Sequence, residues 1–482
     1  MMAQTRFSAY QAFIALAIAV SSLSPVTPIL AEAETGNPNV ILVMCDDLGW
    51  GDVGFNGNTI IQTPNLDAMA ASGLRFERFY AASAVCSPTR GSALTGRNPM
   101  RLGIPTANAG HLEKSERTLA EYLQTAGYKT GHFGKWHLGT FTRTERDSNR
   151  GGKENQSDHF TVPTDHGFEE FFSTEAKVPT WDPMIKPKDH PARLWWDPID
   201  EPTPDNSTDY GTAYWDNKGK VTEGLRGDDS KIIVDRALPF IRKSVNENKP
   251  FFSVVWFHTP HLPVVAGPDM LARYSEYPKY EQHYYGCITA MDEQIGRLRA
   301  TLRELGVARN TMIWFCSDNG PEGQADNAPG SAGPFRGRKR DLLEGGIRVP
   351  ALLEWPEKIQ GGTSSSLPCF TSDYLPTILE WVGIPRSQTP DSPLDGISLA
   401  AAIDRNSSVR PVPMAFHFGR QKALILNRFK LHMSGDRASL FDIQDDPGES
   451  VDLSGEYPLL TSQLRETLES WVIECAADRE NP

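Results

Sequence analysis

The sequence lacks the excess of basic residues that is typical of proteins binding a nucleic-acid duplex. It has 48 Lys and Arg residues against 61 Asp and Glu residues, which gives a net charge of −13. This balance argues against a partner of that class. It leaves room for a small anionic substrate, because a local basic pocket can lie inside an acidic protein.

Cysteine is scarce, and neither an internal repeat nor a low-complexity tract is present. Cys45 and Cys316 lie in apolar, strand-like runs, so we expect both to be buried thiols. The spacing assigns no disulfide pairing. The chain has six cysteines in 482 residues: Cys45, Cys86, Cys287, Cys316, Cys369 and Cys475.

Long hydrophobic runs are also absent, which argues against a transmembrane segment. The apolar run at 13–20 is much shorter than the roughly 20 residues that a spanning helix needs. Arg6 precedes this run, and Ala31 and Ala33 fit a small-x-small cleavage site. The pattern predicts a signal peptide over 1–33 and an exported protein, periplasmic or secreted, with an uncleaved anchor or a disordered tail as the alternative.

What the sequence does contain is an alternation of apolar strands with helical patterns. A helix is predicted to start at Thr63 and Pro64 and to end before Gly73, and an amphipathic helix is predicted near 284–305. This alternation predicts an α/β domain with a largely parallel sheet. Three apolar runs are predicted as buried strands: 39–45, 251–257 and 311–316.

Polar residues that could carry chemistry follow directly after these strands. Because ligands of such sheets gather outside the carboxyl ends of the strands, we expect the side chains to converge. The segment 141–230 is rich in Asp, Pro, Trp and Gly, and it predicts long loops over this site. The polar residues are Asp46, Asp47, His258, His261, Asp318 and Asn319.

The C-terminal part has a different texture. Short strand candidates precede a predicted helix at 458–474, which indicates a small antiparallel domain. The strand candidates lie at 412–418, 422–426 and 428–433.

The stretch 86–97 (CSPTRGSALTGR) carries the strongest chemical signal. Pro88 suits the start of a helix, and Arg90 lies one helical turn after Cys86. From these residues alone, a cysteine at a helix start beside an arginine predicts a reactive thiolate of low pKa.

This stretch also resembles the Cys-x-Pro-x-Arg motif of the formylglycine-dependent type I sulfatases, in the alkaline phosphatase superfamily. Three more stretches resemble that family in the expected order: DDLGWGD at 46–52, GYKTGHFGKWHLG at 127–139 and EGGIRVP at 344–350. Four ordered motifs are far more specific than one. The resemblance runs from about residue 38 to about residue 450.

The resemblance implies a fold and an activity. The fold is an alkaline-phosphatase-like sandwich: a large, mostly parallel sheet flanked by helices, plus a smaller C-terminal domain with an antiparallel sheet and a helix. The activity is sulfuric ester hydrolysis on a sulfated carbohydrate, or on an aryl sulfate in the assay tube. The implied domains are the catalytic sulfatase domain at 38–405 and the C-terminal subdomain at 406–482.

The family relationship further implies that a formylglycine-generating enzyme oxidises Cys86 to formylglycine. The aldehyde hydrates to a diol, one hydroxyl attacks sulfur, and the alcohol leaves. The second hydroxyl then loses its proton and expels sulfate, a step that a thiol could not perform.

One calcium ion is implied as well, held by the residues listed at the end of this paragraph. Charge counting points the same way, because three carboxylates beside an anionic substrate would drive one of them towards protonation without a divalent cation. Oxygen ligands favour calcium or magnesium over zinc. The implied ligands are Asp46, Asp47, Asp318, Asn319 and an oxygen of modified Cys86.

Four further positions match residues that handle sulfate in the family, and Arg90 matches a residue that supports them. The resemblance implies that Lys135 and His137 contact the diol and sulfate, with His137 as the base. It implies that His261 and Lys339 bind sulfate and help to protonate the leaving oxygen, while Arg90 holds the diol and its neighbours. Lys339 lies in a basic run that could instead be a solvated loop.

Other signals are weaker. His258 does not fall on a family position, so we expect a structural role. Three tryptophans could stack on sugar faces or, alternatively, anchor the long loop. Three asparagines begin Asn-x-Ser/Thr triplets, which matter only if the source glycosylates its exported proteins. These residues are Trp181, Trp195, Trp196, Asn155, Asn206 and Asn406.

Three alternatives stay open at this stage. One is a phosphate or phosphonate monoester hydrolase of the same superfamily. Another is a catalytically immature protein that binds sulfated glycans. The last is a hydrolase that uses the Cys86 thiolate directly.

Overall fold

A computed structural model describes most of the chain. The predicted signal peptide and Asn155 lie outside the described residues. None of the helices described is both long and apolar enough to cross a membrane. The described residues are 36–145, 150, 158–189, 194–324, 327–385 and 392–480.

The strands of the described residues belong to one large sheet and three smaller ones. In chain order they are β1 (Asn39–Cys45), β2 (Leu74–Phe76), β3 (Phe79–Tyr80), β4 (Lys129–Lys135), β5 (Glu170–Thr174), β6 (Ile185–Pro187), β7 (Ser207–Asp209), β8 (Tyr214–Asp216), β9 (Gly219–Lys220), β10 (Phe251–Trp256), β11 (Thr311–Ser317), β12 (Ala351–Glu354), β13 (Thr363–Ser365), β14 (Cys369–Phe370), β15 (Met414–Phe418), β16 (Gln421–Leu426), β17 (Phe429–Ser434) and β18 (Arg437–Asp442).

The helices cover both faces of the large sheet and one face of a smaller sheet. In chain order they are α1 (Pro64–Ser72), α2 (Cys86–Thr95), α3 (Leu119–Thr125), α4 (Asp229–Asn246), α5 (Pro268–Arg273), α6 (Lys279–Glu304), α7 (Glu344–Ile347), α8 (Tyr374–Trp381), α9 (Ala400–Asp404) and α10 (Pro458–Glu480).

The large sheet runs in the order β13-β2-β12-β11-β1-β10-β4-β5-β8-β9. Its centre, from β11 to β5, is parallel, whereas β12 and β8 pair in the antiparallel sense. Alternate residues of β1 enter different cores, with Leu42 on one side of the sheet and Val43 on the other. Both faces are therefore covered, which explains the unbroken apolar runs and confirms the predicted α/β class.

The C-terminal sheet consists of β15 to β18, all antiparallel. One face packs against α10 through Leu464 and Leu468, and the other joins a cluster that contains Tyr80. The predicted antiparallel sheet and helix are confirmed, although β18 was not predicted. The boundary between 405 and 406 stays a prediction.

The segment 141–230 is more ordered than the predicted long loops. It contributes β5 to the parallel part of the large sheet, β8 and β9 to its edge, and β6 and β7 as a separate pair. Phe172 of β5 stacks on Tyr214 of β8 with ring centroids 4.2 Å apart. The prediction missed these strands because they are two to five residues long and show no regular alternation, whereas most of the described residues of the segment are irregular as expected.

Candidate active site

The carboxyl ends of neighbouring parallel strands bring the acidic residues together. Cys45 at the end of β1 pairs with Ser317 at the end of β11, so Asp46 and Asp318 leave the sheet side by side. Asp47 follows with a φ of 70°, a left-handed conformation that Asp adopts more readily than most residues. The predicted convergence at this edge is therefore what the structure contains.

Lys135 reaches the same edge at the end of β4. The residue before it, Gly134, has a φ of 103°, and a Cβ there would lie 1.9 Å from the carbonyl oxygen of Trp256. A glycine at this point lets β4 approach β10 closely. This packing explains one glycine of the stretch 127–139 in structural terms.

Cys86 is the first residue of α2, and the whole helix is buried. Arg90 lies one turn later and donates to one oxygen of Asp318 from Nε at 3.1 Å and Nη2 at 2.6 Å. Its Nη1 donates to the carbonyl oxygen of Lys135 at 3.2 Å. Arg90 thus ties three elements of the site together.

Three cations neutralise the buried carboxylates from different directions. Lys135 Nζ lies 2.5 Å from Asp46 Oδ2, and Lys339 Nζ lies 2.7 Å from Asp47 Oδ1. Arg90 also approaches Asp46, at 3.7 Å. Pairing of this kind is what makes burial of the charges tolerable.

The pKa values of the three carboxyl groups differ because the neighbouring cations offset the effect of burial to different degrees. Burial opposes ionisation of Asp46, but Lys135 and other cations hold its pKa well below the usual value. Burial raises the pKa of Asp47 despite the contact with Lys339. Burial and the charge of Asp46 raise the pKa of Asp318 to about 7 although Arg90 opposes the shift.

The donor set fits a hard divalent cation. Asp46 Oδ1 and Asn319 Oδ1 are buried acceptors for which the described residues provide no hydrogen-bond donor. One ligand atom each from Asp46, Cys86 and Asp318 lie within 4.8 Å of one another. Such buried acceptors need a partner, and oxygen-rich clusters suit calcium or magnesium.

A cavity of about 510 Å³ opens above this cluster. His137 and His261 line it, and burial, together with nearby lysines, lowers the pKa of both rings well below 6.5. His261 Nδ1 donates to the carbonyl oxygen of Leu262 at 2.7 Å, which leaves Nε2 facing Asp47 at 3.6 Å. Both rings are therefore neutral at neutral pH, with Nε2 of His261 directed into the site.

Lys339 is the residue of its basic run that reaches the acidic cluster. Arg338 donates instead to the carbonyl oxygen of Glu322 at 2.8 Å, and Arg340 pairs with the Glu322 carboxylate. Lys339 alone of these three contacts Asp47. The geometry thus supports Lys339 as a residue of the site over the alternative of a solvated loop.

His258 stays out of the cavity, in agreement with the predicted structural role. Its Nδ1 lies 2.8 Å from Asp229 Oδ2, and its Nε2 lies 2.7 Å from Thr174 Oγ1. Both ring nitrogens are therefore engaged by buried groups.

The three tryptophans are placed as loop anchors rather than sugar platforms. Trp181 forms a backbone bridge to Asp228, and Trp196 is buried. Trp195 stacks on His283 with the ring centroids 5.2 Å apart. None of them is among the described residues that line the cavity. Asn206 and Asn406 are exposed, so both remain open to modification.

Sequence reasoning missed several residues of the cavity wall. Lys177 comes from the segment 141–230, Glu322 follows β11, and Phe418 comes from the C-terminal sheet. No spacing pattern in the sequence marks them. Their positions depend on packing between distant segments.

Comparison with known proteins agrees with this geometry. The family model described as Sulfatase matches residues 38–384. N-acetylgalactosamine-6-sulfatase of Mus musculus is 31% identical over 423 residues, covering 84% of this chain and 74% of the relative. The chain belongs to the sulfatase family, whose members hydrolyse sulfate esters.

Solved structures agree on the fold. The crystal structure of Ps i-CgsB in complex with k-i-k-neocarrahexaose has a TM-score of 0.75 and 27% identity, covering 90% of this chain and 93% of that one. The phosphonate monoester hydrolase of Agrobacterium radiobacter has a TM-score of 0.62 and 18% identity, covering 91% and 96%. The second likeness shows the alkaline-phosphatase-like fold alone.

Proposed function

We propose that this chain is an exported sulfatase that hydrolyses a sulfate ester on a carbohydrate, using formylglycine at position 86 and one calcium ion. The observation that carries the proposal is the placement of Cys86. Its Sγ lies within 4.8 Å of carboxylate oxygens of Asp46 and Asp318, at the start of a buried helix that borders the cavity.

Calcium would be held by Asp46, Asp47, Asp318 and Asn319, together with an oxygen on the modified Cys86. When bound, the ion neutralises the carboxylates and polarises the sulfate ester. Formylglycine, once made by a maturing enzyme, supplies the nucleophilic hydroxyl and the second hydroxyl that releases sulfate. The buried oxygens without donors, Asp46 Oδ1 and Asn319 Oδ1, support this ligand set.

The remaining residues bind the ester and move protons. Lys135 and Lys339 present ammonium groups to the cavity, where they stabilise the negative charge of the sulfate oxygens. His137 is neutral and can accept a proton from the hydroxyl at position 86. The Lys339 ammonium group can donate a proton to the leaving oxygen. His261 directs Nε2, which is an acceptor in the neutral ring, towards the same side of the site.

Arg90 acts through its neighbours. Arg90 forms two hydrogen bonds to Asp318 and one to the Lys135 carbonyl oxygen. These bonds hold Asp318, a proposed calcium ligand, in place relative to Lys135, a proposed sulfate-binding residue. Because the guanidinium is planar, it sets the orientation of the carboxylate as well as its charge.

Two relatives support a carbohydrate substrate. One is named for a sulfated amino sugar, and the other was crystallised with an oligosaccharide. The cavity, at about 510 Å³, is large enough for a sugar ring together with its sulfate.

The test is release of inorganic sulfate from an aryl sulfate and from a sulfated N-acetylhexosamine. The protein is to be co-expressed with a formylglycine-generating enzyme. We expect release that stops when a calcium chelator is added and returns with calcium. Cys86→Ala should lose at least about a thousandfold in rate, whereas Cys475→Ala, a cysteine on α10, should not change it.

Two results would contradict the proposal. Hydrolysis of phosphate or phosphonate esters without hydrolysis of sulfate esters would favour the phosphohydrolase alternative. An unmodified Cys86 despite a competent formylglycine-generating enzyme, with binding of sulfated glycans but no ester cleavage, would favour a binding protein.

A further inference from the structure

The cavity is rich in positive charge, and one of its cations differs from the others. Of the described residues that line the cavity, four are cationic: Lys135, Lys177, Lys339 and Arg340. Three of these form ion pairs at 2.5 to 2.7 Å: Lys135 with Asp46, Lys339 with Asp47, and Arg340 with Glu322. For Lys177, the described part of the chain offers no carboxylate within ion-pair distance.

Lys177 lies at the same edge of the sheet as the sulfate-binding residues. Thr174, the last residue of β5, pairs in register with Lys135, the last residue of β4. Lys177 follows Thr174 by three residues. Lys177 therefore lines the cavity on the side of β5, close enough to Lys135 and Lys339 for their charges to act on it.

The backbone around Lys177 is fixed before any ligand arrives. Thr174 Oγ1 donates to the carbonyl oxygen of Ala176 at 2.7 Å, and His258 Nε2 lies 2.7 Å from the same hydroxyl. Ala176 and Val178 are both buried, so the residues on either side of Lys177 are anchored. His258 therefore has a structural role here, because it helps to hold the turn that carries Lys177.

An ammonium group in this setting lacks a counter-charge. Burial and the neighbouring cations Lys339 and Lys135 lower the pKa of Lys177, because both disfavour its charged form. A partly buried cation without a partner is costly, and an anionic group from a ligand would remove that cost. In the proposed function, Lys135 and Lys339 already bind the sulfate group of the ester that is cleaved, so Lys177 is free to bind a different anionic group.

We propose that Lys177 binds a second anionic group of the substrate, either a carboxylate or an additional sulfate. The preferred substrate is then a saccharide with at least two negative charges, of which one belongs to the ester that is cleaved. This inference rests on the proposed sulfatase function.

The experiment compares three substrates. The first is a monosulfated N-acetylhexosamine, the second is the same sugar with another sulfate, and the third is that monosulfated sugar joined to a uronic acid. The variants are Lys177→Gln, Lys177→Arg and, as a control, Lys249→Gln at an exposed lysine distant in sequence from the site.

We expect Lys177→Gln to raise KM for a doubly charged substrate by about tenfold more than for the singly charged one. Lys177→Arg should recover most of this loss, and Lys249→Gln should match the wild type. Of the two doubly charged substrates, the one with the larger rise in KM carries the anion that Lys177 binds, either sulfate or carboxylate. Equal losses on all three substrates would overturn the proposal.

A binding measurement separates this inference from the proposed function. In a Cys86→Ala background, calorimetric titration with the doubly sulfated sugar should show weaker binding when Lys177→Gln is added. This holds even if the wild type cleaves none of the esters, an outcome that would refute the sulfatase function alone. Unchanged affinity would refute the role of Lys177.

Discussion

The ionisation of one buried carboxyl group, that of Asp52, should affect the stability of the chain. It accepts hydrogen bonds at 2.8 Å from the backbone nitrogens of Gly49 and Ser331 and from the hydroxyl of Tyr284. Burial nevertheless raises its pKa to about 7. The donors reduce the cost of ionisation without cancelling it.

The sign of the pH effect follows from this shift. An unfolded Asp has a pKa of about 3.9, so between that value and about 7 the folded chain binds more protons than the unfolded chain. The stability contribution of Asp52 therefore falls as the pH rises through this range. We expect Asp52→Asn to remove a slope of up to about 1.4 kcal/mol per pH unit.

The measurement is urea unfolding at several pH values between the two pKa values, with a chelator present throughout. Asp269→Asn, at an exposed position on α5, serves as the control and should keep the slope of the wild type. If Asp52→Asn and the wild type show the same pH dependence, the Asp52 carboxyl group is not protonated in the folded chain.

At the scale of elements, the C-terminal sheet is joined to the large sheet domain by a buried ionic cluster. Lys430 on β17 lies 3.0 Å from Glu344 on α7 and 2.9 Å from Glu449, and all three side chains are buried. Tyr80 donates to Glu344 from β3 at 2.9 Å. One ammonium group therefore serves two carboxylates from different segments.

We expect Lys430→Met to destabilise the protein by about 3–5 kcal/mol, because, among the described residues, Glu449 would be left buried without a cation and Glu344 would keep only Arg348. Lys422→Met on the neighbouring strand β16 is the matched control, since Lys422 is only partly buried. Denaturant unfolding compares the two variants. Equal stabilities would mean that the cluster contributes little to the folded state.

The whole molecule combines a negative net charge with a cationic cavity. The chain carries −13 overall, yet three lysines and one arginine are among the described residues that line the space above the acidic cluster. A concave site with walls of one charge can attract an oppositely charged substrate even when the rest of the surface repels it. Composition alone argued against a nucleic-acid duplex as partner and could not reveal this local reversal.

The centre of the fold could be predicted because β1, β10 and β11 are continuous apolar runs buried on both faces. The acidic part of the candidate site could be predicted because its residues follow the ends of those strands, and the rest because it lies in short motifs that resemble those of a known family. Strand β5 could not be predicted in either way, because its five residues carry no periodic pattern. Lys177 was missed for the same reason, since its position depends on the pairing of β5 with β4.

Every element of the proposed chemistry depends on what Cys86 becomes. A thiol near Asp46 and Asp318 offers calcium a soft ligand and cannot release sulfate from a covalent intermediate by itself, whereas formylglycine supplies oxygen for both purposes. Burial raises the pKa of the Cys86 thiol although Lys135 and Lys339 lower it, which disfavours direct use as a thiolate.

The most direct test is therefore the mass of the tryptic peptide 79–90, which contains Cys86, from protein co-expressed with a competent formylglycine-generating enzyme. The account predicts loss of the sulfur atom and gain of an aldehyde oxygen, and the peptide should react with an aldehyde-specific hydrazide. An unmodified cysteine in catalytically active protein would contradict the account, because the nucleophile would then be the thiol itself.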